Sequence, residues 1–245
     1  EKWDTFKAYN IRDVEVELSI HKRLSKYAPP STLWDEYHLD QEINDRGILI
    51  DNVIVEQAIA MDEKAQTEFM GALKEITNLD NPNSVAQMKD WLISQGLEVE
   101  SLGKKQVSEL LTTAPDELKK VLLLRQQSAR TSVKKYTAMQ NMMCKDSRAR
   151  GCFAFYGSHT GRFAGRGIQL QNLPKNFLTE LSTVRDTVKA GNYNLLSVLY
   201  DSVPEVLSEL IRTALIPRDG YKFVIADFSA IEARVLSWLA GEEWR

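Results

Sequence analysis

Two cysteines in 245 residues, Cys144 and Cys152, set the first limit. They have neither the pairing pattern of a disulfide framework nor the close spacing of a zinc site, so a disulfide-stapled secreted scaffold and a zinc-organised module both drop out and a reducing compartment fits. Long apolar stretches are missing too. Runs such as residues 121–124 fall far short of the roughly 20 residues that span a bilayer, and the N-terminus lacks the charged-then-apolar pattern of a signal peptide. Internal repeats and low-complexity tracts are absent as well. What remains is a soluble globular chain, 43% hydrophobic and long enough to bury a sizeable core in one large or two smaller domains, with the cytoplasm as its expected location. The chain begins at Glu1 rather than Met and stops at Arg245 just after an apolar helical pattern, so both ends read as cut.

An excess of positive charge is also lacking: the net charge is −3. Its distribution is uneven, however. Between residues 125 and 166 stand nine bases (Arg125, Arg130, Lys134, Lys135, Lys145, Arg148, Arg150, Arg162 and Arg166) against the single acid Asp146, a local +8 that leaves −11 for the remainder. Such asymmetry fits a strip facing a polyanion on an otherwise acidic body, and equally a basic helix face that is merely solvated.

Apolar residues at helical spacing predict a helix over 8–27, ended by Pro29-Pro30, and another from about Leu33 to the Asp45-Arg46-Gly47 stop. A short extended piece, 48–50, precedes a long amphipathic helix over 53–76 capped by Asp51 or Asn52; Ser84 caps a helix over 85–95 that Gly96 closes. A loop at 101–105 leads to a short helix at 106–111 and a long basic one over 116–143, in which Lys134 lies four residues after Arg130 and shares its face, while Val121, Leu124, Val133 and Tyr136 turn to a core. From Gly151 the character changes: 152–156 is β-like, 157–174 is a loop rich in Gly, Arg and Gln, and 183–212 returns to helix with Pro204 near a start. The best strand pattern is 221–228, followed by a helix over 231–239.

That last pattern puts Asp227 at the end of a buried strand and just before a helix. A carboxylate there is costly to desolvate without a partner, and a divalent cation is a natural one; capping of the next helix is the plainer alternative. The run DFSAIEARVLSWLAGE (residues 227–242) closely resembles motif A of family A, DNA polymerase I-like, DNA-directed DNA polymerases. The resemblance implies that Asp227 binds two catalytic Mg²⁺ ions, that the backbone carbonyl of Phe228 binds one of them, and that Glu232 lies against the incoming sugar and excludes a 2′-hydroxyl. Arg234 is taken as structural. Phe228 replaces the commoner Tyr, and Ala230 stands where bacterial repair enzymes usually have Gln, which suggests a phage or prophage type.

Upstream, Thr160-Gly161-Arg162-Phe163 followed by Gln169-Leu170-Gln171-Asn172-Leu173-Pro174 is similar to the family's Thr-Gly-Arg and Asn-Leu-Gln-Asn-Ile-Pro signatures, with Ala164 in the usual Ser slot and Gln169 in the first Asn slot. Amide and guanidinium donors here suit the minor groove, where every base pair offers acceptors at comparable positions. Thr160, Gly161, Arg162, Gln171 and Asn172 are the implied DNA contacts, set against a plain turn with incidental polar residues. By the same resemblance the basic helix is a thumb helix, with Arg130, Lys134 and Lys135 on backbone phosphates, and Lys104-Lys105 belongs to a thumb-tip loop. Tyr9-Asn10-Ile11-Arg12-Asp13 resembles the third exonuclease motif, Tyr-x-x-x-Asp, whose spacing puts Tyr9 and Asp13 on one helical face.

These features lead to an α+β, mostly helical fold: residues 1–28 as the end of a 3′–5′ exonuclease-like domain, 29–145 as a thumb-like helical region with the first palm helix, and 146–245 as the start of a palm with a small antiparallel sheet. The expected function is template-directed addition of deoxynucleotides to a primer 3′-hydroxyl, with primer–template DNA and deoxynucleoside triphosphates as partners, two Mg²⁺ ions as cofactors and no membrane. Its processivity partner stays unassigned, and so does the role of residues 177–209. None of His21, His38 and His159 precedes an Asp, so the His-Asp-Glu motif is missing and the piece alone is expected to be inactive. A helical nucleic-acid-binding module without chemistry is the alternative; a nuclease built on Tyr9 and Asp13 is a weaker third.

Overall fold

In the computed structural model the described residues are 1–129 and 133–242, excepting the side chain of Lys104. Arg130 therefore lies outside the described residues, and so does the Lys104 side chain. Helices dominate: α1 (Lys2–Leu24), α2 (Ser31–Arg46), α3 (Asn52–Thr77), α4 (Val85–Ser94), α5 (Lys104–Thr113), α6 (Asp116–Ser128), α7 (Lys134–Met142), α8 (Leu181–Lys189), α9 (Tyr193–Leu199), α10 (Val203–Leu210) and α11 (Ile231–Leu239). Five short strands complete the set: β1 (Ile48–Ile50), β2 (Arg148–Ala149), β3 (Phe153–Ala154), β4 (Ala164–Gly165) and β5 (Leu215–Ile216). The expected α+β, mostly helical class with small antiparallel sheets is the one observed.

Strand β1 is the centre of a three-stranded antiparallel sheet in the order β2-β1-β5, with Leu49 opposite both Arg148 and Ile216. Beyond it, Asp51 starts α3 by accepting a hydrogen bond from the Ile54 amide at 3.4 Å, which satisfies one of the amides a helix N-terminus leaves orphaned. Helix α3 then lies at the hub, packed against α6, α7, α8 and α10. Its buried Ile54, Val55, Ala58, Met61 and Ala65 join Tyr136, Met139, Val206, Leu207 and Leu210 in one apolar cluster; its far end, Leu73, joins Met88, Leu92, Val121 and Leu122 in a second. The Tyr136 hydroxyl reaches the core bonded to the Leu207 carbonyl at 2.8 Å, and burial pushes its pKa up.

Residues 177–209 form α8, α9 and most of α10, fastened to α3 by polar links. Asp51 accepts from Arg185 and, at 2.9 Å, from Lys189; Tyr193 donates to Glu68 at 2.5 Å; Lys64 donates to Asn194 at 3.2 Å. The segment is thus a buttress on the hub helix. By contrast, α1 buries no residue.

Four expectations need correction. The helix expected over 116–143 is instead α6 and α7, and near its break the Ser128 hydroxyl donates to the Arg125 carbonyl at 3.0 Å, the local competition that weakens helices at Ser. The helix expected over 183–212 is cut at Gly191-Asn192 and at Asp201-Ser202. Residues 104 and 105 open α5 rather than ending a loop. Most consequential, 221–228 is no strand: Val224 and Ile225 are 86% and 89% exposed. An apolar run is stable as a strand only where a neighbour takes up its N–H and C=O groups, and among the described residues no strand pairs with it; after β5 the chain turns away through Pro217 and the left-handed Gly220.

Candidate nucleic-acid interface

Strands β3 and β4 form a two-stranded ribbon, pairing Phe153 with Gly165 and Ala154 with Ala164, and the expected Thr160-Gly161-Arg162 lies at its tip. Internal bonds close that tip: the Arg162 amide donates to the Ser158 hydroxyl at 3.0 Å, and Ser158 and Thr160 share a hydroxyl–hydroxyl bond of 3.0 Å. Gly161 has φ +72°, a conformation that favours glycine, and a Cβ there would sit 2.8 Å from Cζ of the exposed Tyr156 ring, which would have to shift. Thr160 and Arg162 are exposed.

Gln171 and Asn172 stand in a 3-10 turn next to this ribbon. The side-chain oxygen of Gln171 occupies the place a Cβ on Gly165 would take, which locks the turn against the ribbon. Three further bonds fix its path. Lys135 donates to the Ile168 carbonyl at 2.8 Å, tying α7 to the turn, while Arg212 donates to the carbonyls of Leu173 and Pro174 at 2.9 and 2.8 Å. Asn172 donates weakly to Gln169 at 3.5 Å, and both Gln171 and Asn172 remain exposed.

Motif A meets the ribbon through one contact: Arg162 lies 3.5 Å from Glu232, both exposed, an ion pair of about 0–1 kcal/mol. Asp227 and Phe228 are exposed in the irregular segment before α11, and Arg234 stabilises that segment by donating to the Ser229 carbonyl at 2.8 Å. A carboxylate and a backbone carbonyl are hard oxygen donors that match Mg²⁺ in kind. Among the described residues, however, no group of three or more His, Cys, Asp or Glu gathers as a metal site, so Asp227 supplies one part of one.

The eight described bases divide sharply. Arg148 donates to the carbonyls of Arg46 and Gly47 at 2.7 and 3.4 Å, and Arg150 to the Asp45 carbonyl at 2.7 Å; both satisfy the C-terminal end of α2. Arg150 also grips Asp146 with two bonds of 2.8 and 2.7 Å, which draw the Asp146 carboxyl down to about 2. Arg125 donates to the Asn83 carbonyl at 3.1 Å, and burial lowers its pKa. Lys134, Lys145 and Arg166 are exposed.

The ribbon tip, the 168–172 turn, α7 with Lys134 and Lys135, and Glu232 thus form a connected region. Two groups stand apart from it: Lys105, exposed on α5 in the second cluster, and Tyr9 and Asp13, exposed four residues apart on α1. Sequence reasoning missed Asn44, which bonds the Phe153 amide at 3.0 Å and its carbonyl at 3.2 Å and so anchors the ribbon to α2. It also missed Arg212. Neither carries a local signal, because both partners are distant in sequence.

A sequence model of DNA polymerase family A matches residues 55–244, and this chain belongs to that family. The DNA polymerase of Bacillus phage SP02 is 52% identical to it over 247 residues, an alignment that takes in 100% of this chain and 38% of the phage protein. The chain therefore spans 38% of the length of that relative. Similarity to a phage polymerase agrees with the type suggested by Ala230. No helix among the described residues is long and apolar enough to cross a membrane.

Proposed function

We propose that this chain is the thumb and first palm portion of a template-directed DNA polymerase that adds deoxynucleotides to a primer 3′-hydroxyl. The observation that carries it is the contact of Arg162 with Glu232, by which the motif A helix touches the ribbon of the Thr-Gly-Arg motif. On this reading Arg162, Gln171 and Asn172 present donors to minor-groove acceptors, with Thr160 and Gly161 shaping the approach. Lys134 faces phosphates with Arg130, while Lys135, expected beside them, instead holds the 168–172 turn through the Ile168 carbonyl; Lys104 and Lys105 hold the duplex further along. Glu232 borders the sugar of the incoming nucleotide. Asp227 and the Phe228 carbonyl would hold Mg²⁺, which, when bound, supplies charge neutralisation and activation of the attacking hydroxyl. Tyr9 and Asp13 are the remnant of a proofreading site.

The test is primer extension by a polypeptide as long as the phage relative. Asp227→Ala is expected to remove turnover while duplex affinity stays within twofold. Extension at the wild-type rate would refute the metal role. The 245-residue chain alone is expected to bind primer–template without extending it. A binding module without chemistry remains the second reading, because no group of three or more His, Cys, Asp or Glu gathers at Asp227 among the described residues; an inactive full-length polypeptide with intact binding would select it.

A further inference from the structure

Behind the ribbon, between it and α2, is a cavity whose lining includes Tyr37, Asp40, Asn44, Arg150, Phe155 and Arg166. Asp40 is only 2% exposed. One of its carboxyl oxygens, Oδ2, accepts from Gln41 at 2.9 Å, while Oδ1 is buried without a partner among the described residues. Buried polar atoms are almost always bonded, so this orphan calls for a donor from outside the chain. The neighbours are committed elsewhere: Asn44 to the Phe153 backbone, Arg150 to Asp146 and the Asp45 carbonyl. Tyr37 and Phe155 meet edge to face at 5.7 Å, giving the cavity an aromatic wall, and Arg166 is exposed at its rim.

We propose that this cavity is a pocket for one unpaired nucleobase of single-stranded DNA, guanine foremost, with its N–H edge on Asp40, its ring face on the aromatic wall and its phosphate toward Arg166. Guanine presents adjacent N1–H and N2–H donors, whereas an unpaired thymine offers one. Stacking on the aromatic wall and a cation for the phosphate are the usual means of holding single strands. The class of partner rests on the polymerase reading; the pocket itself rests on Asp40.

The experiment measures fluorescence anisotropy of labelled thymidine pentamers, all-thymine or with a central guanine or inosine, on the 245-residue chain. The guanine pentamer is expected to bind at least fivefold tighter than the all-thymine one, with inosine, which lacks the 2-amino group, in between. Asp40→Leu should erase that preference without lowering Tm, since it removes an unsatisfied buried polar group. If this variant does not fold, Asp40→Asn serves: its Oδ1 keeps the Gln41 bond while its amide turns a donor into the cavity, and the preference is again lost. Equal affinities for the three pentamers overturn the proposal, as does a preference that survives substitution of Asp40. Binding of N-acetylarginine amide in place of the pentamers, dependent on Asp40, would give the pocket to a protein side chain and overturn it too. Duplex primer–template binding is recorded in parallel. Its failure with the guanine preference intact counts against the polymerase reading alone, and the reverse pattern against the pocket alone.

Discussion

Replacing Lys134, Lys145 and Arg166 together by alanine is expected to flatten the salt dependence of DNA binding, and the size of the change follows from where the bases are held. Of the nine cations between residues 125 and 166, Arg125, Lys135, Arg148, Arg150 and Arg162 donate to carbonyls or carboxylates of the chain itself. Lys134, Lys145 and Arg166 are exposed. Each phosphate neutralised by such a cation contributes about −0.9 to the slope of log affinity against log salt on duplex DNA, so the triple variant should lose about 2.7 from that slope. Between about 50 and 200 mM salt this removes a roughly 40-fold part of the affinity change. Arg148→Ala, by contrast, removes two bonds to the end of α2 and should cost about 1–2 kcal/mol of stability with no change in slope. Fluorescence anisotropy on two primer–templates of unrelated sequence, titrated at several KCl concentrations, reads both quantities. An unchanged slope in the triple variant, or an equal flattening by Arg148→Ala, would refute the division of the bases into phosphate-facing and structural sets.

Further expectations concern the scaffold. Asp51→Ala removes the α3 cap and leaves Arg185 and Lys189 without their shared carboxylate; those cations are partly exposed and can rehydrate, so the loss should be about 3 kcal/mol, or a Tm lower by about 6–12 °C in calorimetry. A change below about 1 kcal/mol would show that the buttress is held by its apolar face alone. Asp146 should titrate near 2 by NMR and return toward 3.8 in Arg150→Ala. Because its folded pKa lies below the unfolded one, the stability it contributes is whole above about pH 4 and disappears as pH falls through about 2, so an Asp146→Asn variant and the parent should converge in stability only in that acidic window.

How much was legible in the sequence depended on whether a residue's partner lay nearby. Asp51 and Ser84 announce helix starts because the amides they accept from, those of Ile54 and Gln87, are three residues on. Val121, Val133 and Tyr136 reveal a core face through helical spacing alone, and all three are buried. The ribbon tip is marked by its motif, whose Gly161 stands at a left-handed φ of +72°. Charge was the least transparent signal. Arg148 and Arg150 read as part of a strip facing a polyanion, yet their guanidinium groups serve carbonyls about a hundred residues earlier. No spacing rule carries that information, because the chain reversal that brings β2 beside β1 has to form first.

The segment 221–228 shows the same dependence at the site that matters most. A divalent cation is a natural partner for Asp227, with helix capping as the alternative, on the premise that a carboxylate at the end of a buried strand is expensive to leave unpaired. That reasoning has a condition, burial of the strand, and here Val224 and Ile225 stand in solvent, so Asp227 stays hydrated and pays no such penalty. Its affinity for Mg²⁺ as a lone hydrated carboxylate is then weak, since tight sites for this ion combine a carboxylate with a second acid or with substrate phosphate. On the polymerase reading, metal binding and strand formation at 221–228 would be coupled: a segment that paired with the run would bury Val224 and Ile225 and desolvate Asp227, and tight Mg²⁺ binding would need it to bring further oxygen ligands. Amide exchange at 223–226 that slows together with the gain of Mg²⁺ affinity in the longer polypeptide would show this linkage; tight Mg²⁺ binding by the 245-residue chain with those amides unprotected would break it.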